Sequence, residues 1–223
     1  MTRKSSSVDN HAGGATAAPG LTSALLGSIP VLESAPAEEV HPLIKEQLQG
    51  SGSRDADLVV IGSGPAGYVG AIRAAQLGAN VVIVEKNSVG GTCLNVGCVP
   101  TKVLLACVGV LESVKNGVDF GVNVKGYDLN LEKMMSRKDS VVKRLVGGVE
   151  SLLKARKIRL VRGEGRITDP NTVVVKTVEG EEKVIAKNIL IATGSVTALL
   201  PLPGFELGPK VWTSTEALTF DRI

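Results

Sequence analysis

The chain has 223 residues, 43% of them hydrophobic and 21% charged, which gives room for one domain of ordinary size plus extensions. A formal net charge of +3 is too small to argue for a nucleic-acid partner. No apolar run approaches the roughly 18 residues expected of a membrane span, and three cysteines are too few for a secreted disulfide framework.

Residues 1–54 differ from the rest. They contain no Phe, Tyr or Trp, yet hold four of the ten prolines and much Ala, Ser and Gly. This composition cannot bury a core, so the segment reads as a disordered leader or linker. Within residues 1–28 the single acid, Asp9, lies beside Arg3 and Lys4, a pattern compatible with an organellar transit peptide but poor in Arg for one.

Residues 55–223 read as one α/β domain. The run Asp57–Ile61 has the continuous apolar character of a buried parallel strand. It feeds Gly62-Ser63-Gly64-Pro65-Ala66-Gly67, then a helical pattern through Ala79, then a second apolar run, Val81–Val84, which ends at Glu85 and Lys86. Strand, glycine turn, helix, strand and acid fall where a dinucleotide site needs them. The glycines let the backbone approach a pyrophosphate at the helix N-terminus, and Glu85 is placed to accept hydrogen bonds from an adenosine ribose.

Next comes Gly90-Gly91-Thr92-Cys93-Leu94-Asn95-Val96-Gly97-Cys98-Val99-Pro100-Thr101-Lys102. Cys-x4-Cys can close a small loop if the two Cα atoms come within about 4.4–6.8 Å. Pro100 suits the first turn of a helix. Cys98 then sits at a helix N-terminus, which favours a thiolate, with Lys102 one turn on. Zinc is a poor alternative, since two cysteines without a nearby His fall short of four ligands. A purely structural disulfide is open only in an oxidising compartment. Cys107, in an apolar helical stretch, reads as a buried small side chain.

The helix opened by Pro100 runs over Val103–Lys115 and ends at Asn116-Gly117. Leu131–Arg156 forms a long amphipathic pattern with Val141, Leu145, Val149 and Leu152 on one face. Short strands follow at Ile158–Val161, Arg166–Thr168, Thr172–Val178 and Lys183–Ile185, with turns at Pro170-Asn171 and Glu179-Gly180. A last apolar run, Ile189–Ala192, enters Thr193-Gly194, and the remainder is loop-rich.

The cysteine stretch resembles the redox-active motif of the pyridine nucleotide–disulfide oxidoreductases. Residues 56–222 as a whole are similar to the dihydrolipoamide dehydrogenase branch of that family, through Gly70–Gly78, Gly147–Glu150, Gly163–Gly165 and Thr213–Leu218. The resemblance implies a Rossmann-like FAD-binding domain with a parallel sheet and a small antiparallel β-meander. It implies that Cys93 and Cys98 form a reversible disulfide, Cys93 as interchange thiol and Cys98 as the thiol against the flavin, with Lys102 near the flavin ring.

The same resemblance gives Gly62, Gly64, Pro65, Ala66, Gly67, Glu85, Lys86, Gly91, Thr92, Gly165, Ala192, Thr193 and Gly194 to FAD. It implies oxidation of protein-bound dihydrolipoamide with NAD+, a lipoyl-domain partner, a homodimer and no metal. NAD would be bound by a further domain, since no second Gly-x-Gly-x-x-Gly follows a strand. The compartment is the cytoplasm, or the mitochondrial matrix if residues 1–28 are a transit peptide. Two other readings stay open: a non-catalytic flavin-binding or interaction module, and a disulfide reductase of the glutathione or mercuric type. His41-Pro42 with Glu46 matches the family's base-and-orienter pair only in residue type, far from its usual place.

Overall fold

The computed structural model describes residues 55–221, which fall within one compact unit. The leader assigned to residues 1–54, and His41-Pro42 within it, lie outside the described residues. Six strands form one sheet in the order β3-β2-β1-β6-β5-β4. Strands β1 (Ala56–Ile61), β2 (Val81–Glu85) and β3 (Arg159–Arg162) are parallel. Strands β4 (Glu164–Asp169), β5 (Thr172–Lys176) and β6 (Glu181–Ile191) form an antiparallel meander.

The sequence reading divides β6 into two short strands, and the structure joins them. Glu181–Ile185 pair antiparallel with β5, and Ala186–Ile191 continue parallel to β1. Asn171 clips the changeover: its Nδ2 donates to the carbonyls of Ala186 and Lys187 at 2.9 and 3.1 Å, and its carbonyl accepts from Ala186 N at 2.8 Å. One strand therefore welds the meander to the parallel sheet, a role that a short-run reading has no way to see.

Both faces of the parallel strands are covered, which is why β1 and β2 read as unbroken apolar runs. Val59, Ile61, Val82 and Val84 pack with Val173, Val175 and Val184 of the meander. Val60, Val81 and Ile83 pack instead with Ala71, Leu94, Val149 and Leu153 of the helices.

Helix α1 (Pro65–Gln76) stops three residues short of the expected Ala79. Gly78 adopts φ +93°, Ala79 N donates to Ala74 O, and Gly78 N donates to Ala75 O, each at 3.1 Å. This paired closure is a Schellman motif, and it turns the chain back into β2. Helix α4 (Leu131–Ala155) buries Val149 and Leu153, whereas Leu152 is half exposed. The i+4 step from Val149 lands on Leu153, so Leu153 replaces Leu152 on the inward face.

Helices α2 (Gly91–Val96) and α3 (Cys98–Lys115) carry the cysteines. Together Gly91–Lys115 are long and apolar enough to cross a membrane, by length and composition only. The sequence reading, which counts uninterrupted apolar runs, does not register this stretch. Gly97, at φ −146° and ψ −114°, breaks it into two helices.

Candidate functional site

The glycine turn after β1 is built by packing at two of its positions. A Cβ on Gly62, at φ +99°, would stand 2.3 Å from the Ala192 carbonyl oxygen. A Cβ on Gly67 would stand 1.9 Å from the Gly62 carbonyl oxygen. Both contacts are with backbone, so no side chain fits. Gly64 is different. A Cβ there meets nothing nearer than Gly91 Cα at 4.0 Å, and its φ of −65° suits any residue. The fold itself does not require glycine at position 64.

Gly64 is also the N-cap of α1, and no side chain caps that end. Pro65 has no N–H to satisfy, so the donors of the first turn, Ala66 and Gly67, face an anion-favouring helix terminus. Gly91 closes the other side of the cradle: at φ +59°, its Cβ would come within 2.7 Å of Gly64 Cα. A cradle with an open floor at Gly64, walls at Gly62 and Gly91 and a bare helix N-terminus fits a pyrophosphate.

Glu85 closes the far end. It is 7% exposed, and its carboxylate accepts from Ser63 N at 2.8 Å, Ser63 Oγ at 2.6 Å and Asn87 N at 2.7 Å. These three bonds satisfy a buried charge that would otherwise be costly. Lys86 points outward and pairs with Glu164 at 3.8 Å, a surface contact of small energetic weight. Gly165 on β4 lies over Val84 and Ile61, where a Cβ would sit 3.2 and 3.4 Å from their methyls. Ala192 N donates to Ile61 O, and Gly194 takes φ +71°, so β6 turns away beside the cradle with Thr193 exposed.

The cysteines lie on either side of the Gly97 break. Cys93 is in α2 and Cys98 is the first residue of α3. Gly97 is compelled, since a Cβ there would lie 2.8 Å from the Thr92 carbonyl oxygen. Asn95 locks α2 by donating from Nδ2 to Val89 O at 3.0 Å and Gly91 O at 2.9 Å. Pro100 stands at the third helical position, buried, where no intrahelical N–H bond is lost. Both cysteines are free thiols, facing each other closely enough that Cys98 acts on the ionisation of Cys93.

Hydrogen bonding with the Cys98 side chain is the main cause that pushes the Cys93 thiol above its ordinary pKa, followed by burial and charge on Cys98. The Cys98 N–H and Lys102 pull weakly the other way. Lys102 is exposed on the same helix face side, close enough to act. Cys98 is exposed while Cys93 is half-buried, packed against the helical core. Helix α2 presses Cys93 inward beside Leu94. Cys107 is half-buried, not fully buried, because α3 buries Pro100 alone.

The structure thus brings the cradle, Glu85 and the dithiol onto one continuous path, β1–turn–α1–β2–α2–α3. A family model described as pyridine nucleotide-disulphide oxidoreductase matches residues 56–222. The chain belongs to this family. It is 49% identical over 180 residues to a dihydrolipoyl dehydrogenase of Manduca sexta, covering 78% of this chain and 35% of that protein. It is 42% identical over 169 residues to the enzyme of that name from Geobacillus stearothermophilus, covering 76% and 36%. With the mitochondrial dihydrolipoyl dehydrogenase of Canis lupus familiaris it shares 48% over 175 residues, covering 76% and 34%. The chain therefore spans about a third of the length of these relatives.

Residues that the sequence reading missed are Ser63, Asn87 and Asn95. Ser63 is the variable position inside the glycine motif, and nothing local marks it as a partner of a residue 22 positions away. Asn95 stands inside the quoted cysteine stretch, but its two backbone carbonyl partners become visible only once α2 is formed.

Proposed function

We propose that this chain is the FAD- and disulfide-bearing portion of a dihydrolipoyl dehydrogenase. The observation that carries the reading is the pair of free thiols, Cys93 and Cys98, set across a compelled glycine break on the helices that begin at the cradle wall. The cradle residues that would hold FAD are Gly62, Gly64, Pro65, Ala66, Gly67, Glu85, Lys86, Gly91 and Thr92. Gly165, Ala192, Thr193 and Gly194 flank them, and Lys102 would lie toward the flavin ring.

In the oxidised form, a thiolate of protein-bound dihydrolipoamide attacks the Cys93 sulfur. The Cys93–Cys98 bond breaks and its electron pair leaves on Cys98. The second substrate thiolate then attacks the mixed disulfide, closes the lipoyl disulfide and releases Cys93, which takes a proton. The substrate loses two electrons and the protein dithiol gains them. Bound FAD supplies the two-electron relay to NAD+. The helix N-terminus and Lys102 stabilise the leaving Cys98 thiolate.

The same reading makes a lipoyl domain of a 2-oxo acid dehydrogenase complex the protein partner and a second copy of the whole enzyme its dimer mate. The compartment is the cytoplasm, or the mitochondrial matrix where residues 1–28 act as a transit peptide. Spectroscopy of the purified chain tests the proposal. Bound flavin should give its oxidised absorption bands, and a dithiol should change them. A chain that takes up no FAD at micromolar concentration contradicts the reading.

A further inference from the structure

Ser63 is fully buried, yet its role is not packing alone. Its carbonyl accepts from Gly90 N at 2.9 Å, tying the glycine turn to the wall before α2. Its N–H and its hydroxyl both reach the same oxygen of Glu85, at 2.8 and 2.6 Å. Asn87 N holds the other oxygen at 2.7 Å. The backbone bonds would survive any residue at position 63. The hydroxyl bond would not, and at 2.6 Å it is the shortest of the three.

A carboxylate offers about four lone-pair sites. Three of those on Glu85 are taken by the chain, which fixes the plane of the group and the direction of what remains. A side chain so fixed loses no rotamer freedom when a ligand hydroxyl arrives, and that raises affinity without any new contact. We propose that Ser63 is a positioning residue for the adenosine end of FAD: it acts through Glu85, holding that carboxylate ready for the ribose. The inference rests on the flavin-site reading above and adds to it a residue that touches no ligand.

The test is FAD titration of the full chain, followed by flavin fluorescence, for the unmutated protein, Ser63→Ala, Glu85→Gln and the double variant. Ser63→Ala should weaken FAD by about tenfold, the low end for one hydrogen bond to a charged group, with the far-ultraviolet circular dichroism unchanged. The double variant should bind no more weakly than Glu85→Gln alone, within about twofold, because Ser63 has nothing left to position. A 2′,3′-dideoxyadenosine analogue of FAD should bind Ser63→Ala and the unmutated chain alike.

Equal FAD affinity in Ser63→Ala, a multiplicative loss in the double variant, or an equal loss with the dideoxy analogue would each overturn the proposal. The last two outcomes would mark Ser63 as a structural residue only. Where Ser63→Ala does not fold, Ser63→Gly removes the same hydroxyl and repeats the test. An unmutated chain that binds no FAD fails the flavin-site reading itself, and this inference with it; a chain that binds FAD but ignores Ser63 fails the inference alone.

Discussion

The cradle and the dithiol helices are neighbours in the chain but opposites in construction. At the cradle the buried side chains of Glu85 and Ser63 satisfy each other, and among the described residues no buried side-chain polar atom lacks a partner. Along α3 the reverse holds: Pro100 is its one buried residue, and Leu105 and Val110 are 62% and 66% exposed. The cradle is held by contacts that this chain supplies. The dithiol is held by a glycine break and an asparagine latch at its base, while the helix beyond presents apolar surface. The shape of the cradle is thus set by close packing, and the placement of the two cysteines by two short local devices.

The largest effect that separates the two regions comes from the glycines. Gly67→Ala forces a Cβ to 1.9 Å from a backbone oxygen and should cost about 3 kcal/mol or more of folding stability. Gly64→Ala meets open space and should leave the stability measured by urea unfolding within about 1 kcal/mol of the unmutated chain, yet lower FAD affinity by at least about tenfold. Equal destabilisation by the two substitutions would erase the distinction between a packing glycine and a ligand glycine.

A smaller effect probes the dithiol side. The Cys93 pKa is raised chiefly by its hydrogen bond to Cys98, so Cys93 stays protonated to higher pH than an ordinary thiol. Iodoacetamide should therefore modify exposed Cys98 first, and the Cys93 rate should rise only at more alkaline pH. Cys98→Ser removes the charge on Cys98 and weakens the bond, and should move the Cys93 rate profile back toward lower pH. A Cys93 profile indifferent to Cys98 would show that burial, not the pair, sets its ionisation.

Much of this was legible in the sequence because the signals are local. The glycine turn, the acid at the end of β2 and the helix beginning at Cys98 each follow from residues within one or two turns of each other. The family follows from the same stretches. What escaped the reading depends on distance. β6 is one strand because two different partners hold its halves, and neither partner is adjacent in sequence. Leu153 replaces Leu152 because Val149 packs against residues of distant strands and the i+4 step carries that buried face to Leu153. Cys93 is less accessible than Cys98 because α2 forms as a separate short helix that turns it toward the core. Ser63 and Glu85, 22 residues apart, are partners only in the folded chain.

The claim that Cys93 and Cys98 act as one reversible pair is tested most directly by mass spectrometry of the alkylated chain. The protein is oxidised, blocked with one alkylating reagent, reduced with a dithiol and labelled with a second. The account predicts the second label at Cys93 and Cys98 together and the first label at Cys107. A bridge that includes Cys107, or a chain whose three cysteines all carry the first label after oxidation, would contradict it.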